Sequence, residues 1–181
     1  EVIGALPVDA VRLKEVTPVG NKNHDSSPRA GHTHHLGGAG TVIPHVLEHL
    51  SLEDMRLALK NTYNLLAPGG YFRLVIPDLA RLAEEYTFSD ATDAAILFMQ
   101  KSGLGAARRE RSLMGLLRSY LGNAHHRWLW DFKSIQHELE QVGFSQVRRA
   151  YFGDSADPRF SQVEDETRWQ DCLGVECRRP G

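Results

Sequence analysis

Long apolar runs are missing from this sequence. No stretch approaches the ~18 residues needed to span a bilayer, and no charged-then-apolar signal segment opens it. Cysteine is scarce as well. Cys172 and Cys177 are the only two; they do not form a CxxC pair, and two thiols make no disulfide framework. A reducing compartment fits that usage, so the expectation is a cytoplasmic chain without a membrane span. Charge imbalance is also lacking: 21 Lys and Arg stand against 23 Asp and Glu, a net charge of −2. That removes the global electrostatic case for a nucleic-acid or anionic-membrane partner. The local basic cluster Arg108, Arg109 and Arg111 reads as a solvated helix face.

What is present fits one domain. The 181 residues are 41% hydrophobic and 24% charged, close to the average for soluble domains and enough for a single core. Residues 1–41 read as an irregular segment or linker. After a mildly apolar start comes "TPVGNKNHDSSPRAGHTHHLGGAG", with almost no large apolar side chain to bury. Its "HTHH" run (32–35) can bind metals nonspecifically.

From Val42 the pattern turns regular. "TVIPHVL" reads as a short strand. Ser51 caps a helix whose apolar stripe is Leu52, Met55, Leu59, Tyr63 and Leu66. "APGG" ends it, since Pro68 cannot continue a helix and the glycines allow a turn. "YFRLVI" (71–76) reads as a strand closed by Pro77. Helices are expected over 78–86, 90–102 and 108–122. "NAHHRWLW" reads as a ring-rich loop, with Trp128 and Trp130 as core anchors. Asp131 caps a further helix closed by Gly143, and "FSQVRRAYF" and "CLGVECRR" read as two closing strands. The acidic stretch 154–169 reads as a surface loop. Strands alternating with helices predict a layered α/β sheet.

The run from "HVLEHLSLEDMRLALKNTYNLLAPGGYFRLVIPDLARLAEEY" to "HRWLWDFKSIQHELEQVGFSQVRRAYFG" resembles class I S-adenosylmethionine-dependent methyltransferases, and most nearly the type-11-like bacterial group, some of which serve glycan pathways. The resemblance covers residues 42–181, the C-terminal two-thirds of such a domain. It implies a Rossmann-like open sheet, mostly parallel with an antiparallel C-terminal strand. It also implies S-adenosylmethionine as cofactor, methyl transfer to a small-molecule or glycan-linked acceptor, and His45, Val46, Leu47 and Glu48 along the cofactor. The family's earlier strand, glycine-rich turn and acidic strand end are not found. "LGGAG" (36–40) follows no strand and leads directly into the next one. The N-terminal strands are therefore expected to be missing or diverged, leaving a sheet edge for a partner or a second copy to cover.

In open α/β sheets ligands bind beyond the carboxyl ends of the strands. His45 and Asp78 stand at two such ends. His45 could orient substrate or remove a proton, and Asp78 could bind substrate or polarise His45. Each also has an ordinary role, His45 as a buried imidazole and Asp78 as an N-cap. A non-catalytic binding module of the same fold is the second reading. The third takes His45-x-x-Glu48-His49 as a zinc hydrolase motif, with Glu110 or Glu138 as the further ligand. It requires both imidazoles on one helix face, which the preceding Pro44 and apolar run argue against, so no metal ligands are assigned.

Overall fold

The computed structural model describes residues 34–35, 40–105 and 126–181. The helix expected over 108–122, with its basic cluster, lies outside them. Five strands form one open sheet in the order β1–β2–β3–β5–β4: β1 (His34–His35), β2 (Gly40–Pro44), β3 (Tyr71–Pro77), β4 (Ser145–Ala150) and β5 (Cys172–Arg178). Four helices are described: α1 (Leu52–Leu65), α2 (Leu79–Thr87), α3 (Ala94–Lys101) and α4 (Phe132–Val142). β2 pairs parallel with β3, β5 lies antiparallel between β3 and β4, and β1 is antiparallel to β2. β2, β3 and β4 therefore share one direction, and the C-terminal strand opposes them. The fold is α/β with an open mixed sheet, Rossmann-like in its β2–α1–β3 crossover. Beyond β2, the described pairing consists of His34 with Val42 and His35 with Thr41. No helix among the described residues is long and apolar enough to cross a membrane.

The expected local signals act where the sequence puts them. The Ser51 hydroxyl accepts the Asp54 N–H at 3.1 Å and starts α1. Met55, Leu59 and Leu66 are buried, while Leu52 and Tyr63 pack at the rim of the core. After Leu66, Gly69 at φ +79° makes the turn into β3. On one face of β3, Phe72, Leu74 and Ile76 meet α1 and the Ile135 and Leu139 side chains of α4, with Leu173, Val175 and Cys177 of β5 completing the cluster. At the start of α4, Asp131 and Ser134 form a reciprocal cap, and Gly143 at φ +111° closes the helix.

The other face of the sheet holds a charge. Arg73, in the middle of β3, has no solvent exposure. Its Nε donates to Glu164 at 2.6 Å, its Nη1 to Glu176 at 2.6 Å and Asp154 at 3.1 Å, and its Nη2 to the Tyr151 carbonyl at 3.0 Å. The Trp169 and Phe160 rings lie 4.9 and 5.5 Å from the guanidinium carbon. An unpaired cation could not stay in this position. Residues 154–169 are thus not the free surface loop their composition suggests. They fold over the sheet through two 3₁₀ turns, Pro158–Gln162 and Glu166–Arg168, and bury Phe160 completely. Burial pushes the Asp154 carboxyl up, but hydrogen bonds from Arg148, the Tyr151 backbone and Arg73 outweigh it and hold it below the usual range.

Trp169 reaches the sheet because position 174 carries no side chain. A Cβ on Gly174 would run into the Trp169 ring and the Ala150 carbonyl oxygen. Gly174→Ala is therefore expected to lower stability by about 1–3 kcal/mol, the usual cost of overpacking; an unchanged urea midpoint would contradict this. Asp131→Ala is expected to cost about 1 kcal/mol at pH 7. The Ser134 hydroxyl and then its backbone N–H hold the Asp131 carboxyl below its ordinary value. A carboxyl lowered by folding stabilises above its unfolded pKa and loses that effect as pH falls through the folded one. The gap between parent and variant should close in acid, and a gap constant down to pH 2 would count against the cap.

Candidate functional site

β2 delivers His45 to the end of the sheet. The His45 N–H still bonds the Val75 carbonyl at 2.9 Å, one step past the strand. The backbone then turns at φ +51°, a left-handed conformation rare for a residue with a Cβ. The chain leaves in a 3₁₀ turn, Leu47–His49, before Ser51 starts α1. The HxxEH motif is therefore a strand-to-turn corner and not an α-helix, so His45 and His49 do not share a helix face.

Both ring nitrogens of His45 are engaged. Nε2 lies 2.9 Å from the Arg168 carbonyl oxygen, with the Cys172 sulfur at 3.8 Å, and Nδ1 lies 3.3 Å from a Glu48 oxygen. The Cys172 sulfur, then the Glu48 carboxylate and the Arg168 carbonyl, favour the imidazolium against burial and push its pKa up to about 10. A ring held as a donor on both sides orients its neighbours and has no lone pair with which to take a proton.

His45 and Asp78 meet in one crevice of about 340 Å³ at the carboxyl ends of β2 and β3. Arg81, Leu82 and Glu85 of α2, Lys101, His126 and the Gln170–Cys172 stretch complete its wall. Asp78 is mostly committed to structure. One oxygen accepts the Ala80 and Arg81 N–H groups at 3.0 and 3.5 Å, and the other stands 3.5 Å from Arg149. The other charges in the wall are paired: Arg81 bridges Glu85 at 2.9 Å and Asp171, and Lys101 meets Glu85 at 2.6 Å. The Lys101 contact holds the Glu85 carboxyl below its ordinary range.

The remaining expected residues fall elsewhere. Leu47 is a core side chain, Val46 packs against that core, and Glu48 is buried at 1% exposure; none of the three lines the crevice. Glu138 forms a two-bond pair with Arg56 between α4 and α1, at 2.9 and 2.7 Å, which removes it as a metal ligand. Glu110 and His125 lie outside the described residues. Trp130 is a core anchor as expected, whereas Trp128 is 42% exposed. The reading missed Arg81, Lys101, Gln170 and Asp171. Arg81 lies on the helix expected over 78–86, and nothing local shows that it lines a crevice.

The sequence matches no family model and none of the curated proteins. Among solved structures it is similar to a candidate O-methyltransferase from Nostoc punctiforme PCC 73102, with 11% identity and a TM-score of 0.41 over 77% of this chain and 31% of that one. It is also similar to a SAM-dependent methyltransferase from Archaeoglobus fulgidus, with 16% identity and a TM-score of 0.40 over 77% of this chain and 58% of that one. The chain thus spans less than two thirds of either. Likeness this remote says nothing of chemistry.

The two thiols report on the crevice. Cys172 is half-buried at its wall, while Cys177 is buried and desolvation pushes its thiol well above the usual range. Iodoacetamide should alkylate Cys172 well before Cys177, which should react only on unfolding. Equal labelling of both in the folded chain would contradict the crevice.

Proposed function

We propose that this chain is a methyltransferase-family domain supplying the acceptor side of the reaction, with a small-molecule or glycan-linked substrate in the crevice. The observation that carries the reading is that His45 and Asp78, picked from strand ends in the methyltransferase-like series, line the same crevice. Polar side chains set in its wall suit a polyhydroxylated acceptor, since Arg81, Lys101 and Gln170 can donate and Glu85 and Asp171 can accept. These residues would bind and orient the acceptor, and such positioning can account for much of a transfer rate. His45 would act here as a donor holding the 168–172 stretch in place.

The residues that would cradle S-adenosylmethionine do not fit among those described. No glycine-rich turn after a strand is present there, Leu47 faces the core, and Glu48 is buried and does not line the crevice. The second reading is a non-catalytic binding module of the same fold. Isothermal titration of the folded chain with S-adenosylmethionine separates the two. Saturable binding, weakened by Arg81→Ala only when an acceptor is present, is expected for the enzyme. Absence of binding by folded protein would leave the binding module.

A further inference from the structure

We propose that Glu48, His49 and His126 form a site for a divalent metal ion of the zinc type at the edge of the crevice. One ligand atom from each lies within 4.8 Å of the others. Donors around a tetrahedral ion with bonds of ~2.0–2.2 Å stand ~3.4 Å apart, so binding asks the two half-buried imidazoles to close by roughly an ångström. This inference does not depend on methyl transfer.

The Glu48 carboxylate is the first reason. It is 1% exposed; one oxygen meets the His45 ring, and the other has no hydrogen-bond partner among the described residues. Its nearest charged neighbour is the His45 ring, 3.3 Å from one oxygen. A buried carboxylate left that way is costly, and a bound cation would satisfy the second oxygen. Glu48 and His49 thus serve as ligands, His45 stays outside the set with both nitrogens engaged, and the third ligand is His126.

The second reason is how His126 is held. Its Nδ1 lies 2.7 Å from the Ser102 carbonyl oxygen. A carbonyl only accepts, so Nδ1 carries the proton and Nε2 presents its lone pair, the arrangement by which metal-binding imidazoles are usually fixed. The backbone locks the loop to the acidic partner. Arg127 and Trp128 both donate to the Glu48 carbonyl, at 2.7 and 3.1 Å, and His126 donates to Gly103 at 3.1 Å. Gly103, at φ +68°, leaves room for the ring, since a Cβ there would stand 2.6 Å from His126 Nδ1. The His49 and His126 rings lie edge to face, 4.9 Å apart. One carboxylate and two imidazoles suit Zn²⁺ and its neighbours better than Ca²⁺ or Mg²⁺, which prefer all-oxygen sets. Three protein ligands also leave a fourth position for water or an acceptor oxygen.

The test is a zinc titration of the full chain, stripped with a chelator and read against a chromophoric competitor, with elemental analysis of the dialysed product. One zinc per chain is expected. Glu48→Gln and His126→Ala should each weaken binding by about 100-fold or more, and Gly103→Ala by about 10–100-fold, as for lost supporting contacts. A variant with His32, His34 and His35 all changed to Asn should bind like the parent. Circular dichroism checks folding. If Glu48→Gln fails to fold, His126→Ala, on a connecting segment, decides. No zinc on the folded chain, or zinc that survives His126→Ala, would overturn the proposal. So would zinc that disappears with the 32–35 substitutions.

Discussion

Arg73 sits where a β-strand residue facing a covering layer would be expected to be apolar. Its guanidinium is fully buried, and three carboxylates, one backbone carbonyl and two aromatic rings surround it. Glu176 belongs to the neighbouring strand β5, and the other partners come from residues 151–169, which the charge draws down onto the sheet. Removing one member of such a buried network commonly costs about 3–5 kcal/mol, because the others are left uncompensated. The site depends on this arrangement. The same stretch of chain presents the Arg168 carbonyl to His45 and sets Gln170, Asp171 and Cys172 along the crevice.

The corner after β2 is the second constraint. Once the chain turns left-handed at His45, Leu47 enters the core and Glu48 is carried beneath the surface, its carbonyl held by Arg127 and Trp128. One short turn thus serves two neighbouring places. His45 faces the crevice and the covering segment, while Glu48 and His49 face His126, which itself forms part of the crevice wall. A polar acceptor bound in the crevice would lie next to a metal held by the other set.

Much of the frame was legible in the sequence because its signals are local. The stripe of α1, the caps Ser51, Asp78 and Asp131, the stop at "APGG" and the turn at Gly143 each act within a few residues. So did the placing of His45 and Asp78 at strand ends. What was not legible is non-local. "YFRLVI" says strand, but nothing in it says that Arg73 points into a layer built from residues far along the chain. Likewise "DSADPRFSQVEDETRW" is acidic by composition, and only the fold shows Glu164 to be a buried counterion. His126 was visible as one ring among several. Its pairing with Glu48 depends on how the chain returns to the 3₁₀ turn, which periodicity does not encode. The antiparallel β1 left no pattern, because two residues are too few to alternate.

The central claim is that the Arg73 cluster holds the covering segment, and with it one wall of the crevice, in place. Hydrogen–deuterium exchange on Arg73→Met tests it most directly. Amides of 151–171 should exchange at least ~10-fold faster than in the parent, as loss of a few kcal/mol of local stability implies, while α1 and α4 keep their protection. Unchanged exchange in 151–171, or a uniform change across every element, would contradict the account.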